Sequence, residues 1–240
     1  MKSFLDKLCD VFFVKKCVAC GRLLEYDSEH SLCDECLNDW IGSKQEKCVV
    51  CNKEQTKCRC GFYQLNHDSV RHLALYRAAE VDSVTNRLVY ALKKSNNVKV
   101  FDFVAREMVE NIVFKSLDGT ICVGAPRSVS AIRKNGYDHS KKLARKVAEL
   151  TNTEYVDALV HKGRASEQKQ IKHREERLEN VRQNICLNNK SIDKIRGKRV
   201  LLIDDIGTSG ATTHVCTELL KNAGAVSVCC ILCARNESEG

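Results

Sequence analysis

Hydrophobic and polar positions along the chain follow two different periods. Apolar residues at helical spacing predict amphipathic helices over residues 3–14, 82–94, 100–114, 138–150 and 211–222. Short apolar runs predict strands at 70–76, 120–123, 156–160, 184–187, 199–203 and 227–233. From residue 120 onward strands and helices alternate, which predicts an α/β fold whose mostly parallel sheet is flanked by helices.

One stretch of the C-terminal half, residues 162–182, has no useful apolar stripe. It mixes seven basic residues with four acidic ones. A solvent-exposed charged helix or loop would have this composition. A mobile cationic flap that covers a polyphosphate would have it too, and both interpretations stay open.

Cysteine is concentrated near the N-terminus, where eight of the 15 cysteines lie between Cys17 and Cys60. Three pairs have C-x₂-C spacing, which suits a tetrahedral metal ion better than disulfides. We therefore predict two structural Zn²⁺ ions bound by Cys17, Cys20, Cys33, Cys36, Cys48, Cys51, Cys58 and Cys60. The sequence is compatible with sequential pairing of these knuckles, first with second and third with fourth. It is equally compatible with cross-braced pairing, first with third and second with fourth. The last knuckle, Cys58-x-Cys60, is one residue short of the usual spacing.

The cysteine-rich segment is too short to fold on its own core, so metal is expected to supply its stability. This predicts a small N-terminal domain at 1–65, made of a helix and a double zinc ribbon, and an α/β domain at 66–240. Residues 1–65 hold ten basic and ten acidic residues, so the whole net charge of +8 lies in the second domain. A basic domain suits phosphate-rich ligands and nucleic acid, although the charge would also serve solubility alone.

The predicted location is the reducing cytoplasm. The first apolar stretch is interrupted by Asp6, Lys7 and Asp10, which argues against a secretory signal. No apolar run approaches the roughly 18 residues that a membrane-spanning helix needs.

The run from Leu201 to Thr212 carries the most specific chemistry. An apolar strand ends at Asp204-Asp205, a turn with two glycines follows, and a helix begins at Ala211. The unpaired N–H groups of a helix start bind phosphate, and the hydroxyls of the turn add donors. Two carboxylates beside an anion site are explained if the phosphate belongs to a sugar, because carboxylates accept hydrogen bonds from vicinal hydroxyls and can hold Mg²⁺. The competing interpretations are an acidic helix cap and a receiver-type acidic pocket.

This run resembles the 13-residue signature of type I phosphoribosyltransferases. The resemblance implies that Asp204 and Asp205 bind the ribose hydroxyls of phosphoribosyl pyrophosphate, together with Mg²⁺. It also implies a 5-phosphate cradle formed by Ile206, Gly207, Thr208, Ser209, Gly210, Ala211 and Thr212. Arg127 lies where the family keeps its pyrophosphate loop, though it could equally be a surface residue.

The chain as a whole resembles the ComF family, which joins cysteine knuckles to a phosphoribosyltransferase domain. Three blocks carry this resemblance: Leu92-Lys93-Lys94, residues 135–139 and residues 168–181. Asn135 and His139 depart from the family pattern, which has Arg and Gln there. Resemblance to double zinc ribbons favours sequential pairing of the knuckles.

Two functions follow as expectations from the family. The first is a protein of natural competence that handles incoming single-stranded DNA in the cytoplasm with partners in DNA uptake. The second is an active phosphoribosyltransferase of nucleobase metabolism, for which Lys169 and Arg174 of the charged stretch are the catalytic candidates.

Overall fold

The structure is a computed structural model that describes residues 14–25, 28–48, 51–58, 68–162, 174–208 and 210–237. Its strands are β1 (Ser69–Tyr76), β2 (Thr120–Gly124), β3 (Glu154–Tyr155), β4 (Leu159–His161), β5 (Ile185–Leu187), β6 (Arg199–Gly207) and β7 (Ser227–Asn236). Its α-helices are α1 (Asp34–Gln45), α2 (Val84–Lys94), α3 (Val98–Val109), α4 (Val129–Asn135), α5 (His139–Thr151), α6 (Arg174–Asn184), α7 (Ile192–Ile195) and α8 (Ala211–Asn222). Short 3-10 helices occupy Gln55–Lys57 and Asn189–Ser191.

Five strands form a parallel sheet in the order β1-β7-β6-β2-β3. Strand β6 lies at the centre and is buried along nearly its whole length, as its apolar sequence predicts. Strands β4 and β5 form a separate antiparallel pair. The prediction of a mostly parallel α/β sheet flanked by helices is confirmed.

The parallel sheet buries a core on each face. One core packs α2, α3 and α5 against residues such as Leu201 and Ile231, and the other packs α8 against residues such as Leu202 and Leu232. Helices α2, α3 and α5 follow the predicted apolar periodicity, whereas α4 buries no residue and was not predicted. None of the helices in the described ranges is long and apolar enough to cross a membrane.

The cysteine-rich segment shares the first of these cores. Val18, Leu32, Cys36 and Trp40 belong to the same cluster of buried residues as Leu73 and Phe101. Trp40 is completely buried and packs edge-on against Phe103 at 6.0 Å between ring centroids. The boundary between 1–65 and 66–240 therefore stays a prediction, and the two segments are joined by a continuous apolar core.

Several predicted bounds are wrong. The strand predicted at 156–160 is replaced by β3 and β4, because β3 pairs with β2 whereas β4 turns away to pair with β5. The helix predicted over 100–114 ends at Val109, and β6 continues past Asp204 and Asp205 to Gly207. Arg174–Asn184 form a helix, but residues 163–173 lie outside the described residues, so both interpretations of the charged stretch stay predictions. The helix predicted at 3–14 also lies largely outside the described residues.

Candidate functional site

Strand β6 carries the acidic pair to the carboxyl edge of the sheet, where ligands of open α/β folds bind. Both side chains are buried, Asp204 at 4% and Asp205 at 1% exposure. Oδ1 of Asp204 accepts hydrogen bonds from Ser140 Oγ at 2.7 Å and from the backbone N–H of Asp205 at 2.9 Å. Burial raises the pKa of Asp204 above its ordinary value, and the adjacent charge of Asp205 adds to the rise.

A glycine sets how closely helix α5 approaches this pair. Gly124 ends β2, and a Cβ at that position would lie 2.7 Å from Lys141 Cα. The absence of a side chain lets the first turn of α5 rest against the strand, and Asp138 caps that turn by accepting from Lys141 N–H at 3.0 Å. Ser140 and His139 are thereby brought to the two carboxylates.

Asp205 is surrounded by three nitrogen-bearing side chains. His139 Nε2 lies 3.0 Å and Lys93 Nζ 3.3 Å from its Oδ2, and an Arg127 guanidinium nitrogen lies 3.6 Å from its Oδ1. Burial alone would raise the pKa of Asp205, but His139, Lys93 and Arg127 outweigh it and hold that pKa well below the ordinary value. The groups around Asp205 therefore favour its ionised form.

The run that the sequence predicts to bind phosphate continues from β6 into the start of α8. Gly210 has a φ of +78°, a left-handed conformation that glycine adopts without strain, and it caps the helix. Thr208 is exposed and Thr212 is partly exposed, so their hydroxyls are accessible beside the helix start. Ser209 lies outside the described residues.

The acidic pair and the threonines of the loop line one open cavity of about 410 Å³. Of the residues that the sequence singles out, the cavity brings together Arg127, Asp204, Asp205, Ile206, Thr208 and Thr212. Gly207, Gly210 and Ala211 belong to the backbone of the same loop and helix start and are not among its lining residues. Lys169 lies outside the described residues, and Arg174 is the first residue of α6.

Part of the cavity lining is polar and was not predicted. It consists of His161 at the end of β4 together with Asn180 and Asn184 of α6. Asn184 Nδ2 donates to Asn180 Oδ1 at 3.0 Å and to the backbone carbonyl of Asn180 at 2.7 Å, which fixes the two side-chain amides relative to each other. Lys93 and His139 were also missed as site residues, although both lie in segments that match the ComF pattern.

The cysteines form two groups in chain order. Cys17, Cys20, Cys33 and Cys36 form one group, and Cys48, Cys51 and Cys58 form another, with the sulfurs of each group within 4.8 Å of one another. The structure thus pairs the first knuckle with the second. Cys60 lies outside the described residues.

The spacing of the sulfurs fits zinc. Four thiolates at ~2.3 Å around one ion are roughly 3.8 Å apart. Cys20 and Cys33 are separated by 3.7 Å between sulfurs, as are Cys51 and Cys58. Arg87 of α2 donates to Cys36 Sγ at 3.6 Å, a contact that would offset the negative charge of a thiolate cluster.

The acidic pair fits a directly coordinated Mg²⁺ less well than the cysteine groups fit Zn²⁺. Among the described residues, only the two cysteine groups bring three or more candidate ligands within 4.8 Å of one another. The oxygens of Asp205 face an ammonium, a guanidinium and an imidazole instead.

Comparison with known proteins agrees with this geometry. The sequence pattern of the family described as "Phosphoribosyl transferase domain" matches residues 124–240, which contain the loop and the acidic pair. The "Competence protein ComFC" of Streptococcus pneumoniae (strain ATCC BAA-255 / R6) is 26% identical over 232 residues, covering 89% of this chain and 96% of that protein. The chain is thus similar to ComF-type proteins over most of its length, and its C-terminal half matches the phosphoribosyltransferase family.

The cysteine groups are compatible with a zinc ribbon near the N-terminus. A solved structure, titled "structure of the allosteric regulatory enzyme of purine biosynthesis", is 18% identical with a TM-score of 0.38. The match covers 55% of this chain and only a quarter of the other chain's length.

Proposed function

We propose that this is a competence-related, ComF-like protein whose cavity binds phosphoribosyl pyrophosphate or a related sugar phosphate. The main observation behind this proposal is that one cavity is lined by the acidic pair, by Thr208 and Thr212 and by Arg127. In this proposal Asp204 and Asp205 bind the ribose hydroxyls and the run from Ile206 to Thr212 binds the 5-phosphate. Arg127 binds the pyrophosphate, which would bring Mg²⁺ with it.

Titration calorimetry with phosphoribosyl pyrophosphate, with and without Mg²⁺, tests this proposal. Asp205→Asn should weaken sugar-phosphate binding by about tenfold or more, because one neutral amide oxygen replaces two charged acceptor oxygens and the amide nitrogen cannot accept from a hydroxyl. The same change frees Lys93 and Arg127 from a carboxylate, so inorganic phosphate should bind as well as before or better. A variant that binds phosphoribosyl pyrophosphate normally would overturn the assignment of the acidic pair.

We further propose that the protein handles single-stranded DNA in the cytoplasm. No acidic residue occurs in segments 83–101, 120–137 or 139–148, which include α2, α4 and most of α5. Arg133 and Lys134 end α4, and Lys142 Nζ of α5 lies 5.7 Å from the centroid of the Tyr137 ring. These three cations, called the basic face below, have no carboxylate partner among the described residues.

The slope of binding against salt tests the role of the basic face. For a single strand, each phosphate that a protein cation neutralises contributes about 0.7 to the slope of log K against log salt. Replacing Arg133, Lys134 and Lys142 with serine should therefore reduce the slope by about 2. The matched control replaces Lys190, Lys194 and Arg196, exposed cations around α7, and should change it less. Equal effects of the two triple variants would mean that net charge, rather than this face, attracts DNA.

Phosphoribosyl transfer is the alternative function, favoured by His161, Asn180 and Asn184, which line the same cavity as the acidic pair. Amides and an imidazole can hydrogen-bond the edge of a nucleobase. An acceptor nitrogen would form a bond to C1 of the sugar while the C1–oxygen bond to pyrophosphate breaks. The assay is pyrophosphate release with each common nucleobase, and release no faster than without a base would refute it.

We also propose that both cysteine groups hold a structural Zn²⁺, with Cys60 completing the second one. The two ions would replace a core that the short segment cannot build alone. Metal content per chain is the measurement.

A further inference from the structure

Lys93 has no role in the function proposed so far, yet it reaches the centre of the cavity. It belongs to α2, far from the phosphate-binding run in sequence, and its ammonium lies 3.3 Å from Asp205 Oδ2. Its side chain is 31% exposed, whereas Asp205 and His139 are each 1% exposed. Lys93 therefore stands between the buried carboxylate and the open cavity.

The contact between Lys93 and Asp205 is longer than a usual charge-assisted hydrogen bond. Charge-assisted hydrogen bonds between an ammonium and a carboxylate are usually about 2.7–2.9 Å long. The distances of 3.3 Å from Lys93 and 3.6 Å from Arg127 are both longer, and neither oxygen of Asp205 has a hydrogen-bond partner of good geometry. An ammonium has three donors, and Asp205 is the one charged partner of Lys93 in the described part of the chain.

Charge balance indicates what Lys93 is for. The cavity contains two carboxylates and two permanent cations, Lys93 and Arg127. Without Lys93, Arg127 would be the one permanent cation left in the lining of the cavity to bind the two phosphate groups of a pyrophosphate. Because burial raises the pKa of Asp204, the cavity with Lys93 is neutral or positive.

We propose that Lys93 is a pyrophosphate-binding residue that shifts from Asp205 to the ligand. This proposal rests on the proposed function, because it names Lys93 as the residue that binds the pyrophosphate end of phosphoribosyl pyrophosphate. On binding, the ammonium turns towards the pyrophosphate oxygens beside Arg127, and Asp205 becomes available to the ribose hydroxyls. His139, which is buried against Asp205, keeps the carboxylate in place during the exchange.

Three ligands distinguish this role from a general electrostatic one: phosphoribosyl pyrophosphate, inorganic pyrophosphate and ribose 5-phosphate. In titration calorimetry, Lys93→Met should weaken the first two by about tenfold or more, the usual loss for a hydrogen bond to a charged group. Ribose 5-phosphate lacks the pyrophosphate and should keep its affinity within about twofold, because the 5-phosphate site is untouched. Lys93→Arg should recover most of the affinity for pyrophosphate.

Lys94→Met is the matched control, because it removes the same charge one residue away. Lys94 is exposed and its ammonium lies 3.3 Å from Asn135 Oδ1, outside the lining of the cavity. It should leave all three affinities within about twofold. Equal losses for ribose 5-phosphate and phosphoribosyl pyrophosphate in Lys93→Met, or no loss at all, would overturn the role of Lys93. A wild-type protein that binds none of the three ligands would instead refute the sugar-phosphate proposal itself.

Discussion

Gly124→Ala tests whether the close approach of α5 to β2 builds the site. The new Cβ would lie 2.7 Å from Lys141 Cα, 2.9 Å from Lys141 N and 3.0 Å from the Ser140 carbonyl oxygen. Ordinary contact begins near 3.4 Å, so the backbone of α5 must move away by about 0.7 Å. All three atoms are backbone, so no side chain can rotate to make room.

Two effects should follow from that movement. Overpacking of this kind typically costs about 1–3 kcal/mol of folding free energy. The displaced turn also carries Ser140 and His139, which contact Asp204 and Asp205 at 2.7 and 3.0 Å. Binding of phosphoribosyl pyrophosphate should therefore weaken by more than the loss of folded protein accounts for.

Urea unfolding and titration calorimetry measure the two effects separately. Gly42→Ala in helix α1 is the control, because nothing lies within 4 Å of the added Cβ and alanine favours a helix by about 0.5–1 kcal/mol over glycine. The same chemical change should thus stabilise the protein at one site and destabilise it at the other. If Gly124→Ala unfolds at the wild-type urea concentration and binds ligand normally, the packing argument fails.

Three further predictions concern charge and metal. Asp204→Asn should be more stable than wild type at pH 8, because burial and Asp205 raise the pKa of Asp204 and make its ionised form costly in the folded protein. Urea unfolding should show this difference in stability shrinking as the pH falls towards 4. A variant that is less stable than wild type at every pH would contradict the prediction. The pKa of His72 is lowered to about 3 by burial and by Arg235 and Arg71. Below pH 6.5 the wild type should therefore lose up to about 1.4 kcal/mol of folding free energy per pH unit relative to His72→Gln. Parallel curves of stability against pH for the two proteins would count against this prediction. Cys58→Ser should lower the zinc content from two ions per chain to one, while Cys186→Ser, a cysteine of β5 outside both groups, should keep two; unchanged zinc in Cys58→Ser would remove Cys58 from the ligands.

The sequence predicts β6 and its loop well because the information is local. An apolar strand, two carboxylates, two glycines and three hydroxyls lie within one short run, and their order determines the turn. Lys93 and His139 were missed because they reach Asp205 only through packing of α2 and α5 on the sheet. Their contacts depend on tertiary approach, including that allowed by Gly124.

Helix α1 was missed for a different reason. Its sequence is mostly polar, and only Cys36 and Trp40, one helical turn apart, are buried. Two buried positions give no periodic stripe that would distinguish a helix from a loop. The helix is held by the cysteine group and by packing of Trp40 on α3, neither of which is visible from local composition.

The continuous core between the cysteine-rich segment and the sheet has a consequence for the protein in the cell. A chain that emerges from the ribosome without metal would leave Val18, Leu32 and Trp40 uncovered, and the matching surface near Leu73 and Phe101 as well. Such patches are recognised by chaperones and proteases. If the cysteine groups hold zinc as proposed, zinc supply would set how much of this protein accumulates, and the fluorescence of Trp40, the single tryptophan, would report whether this core has formed.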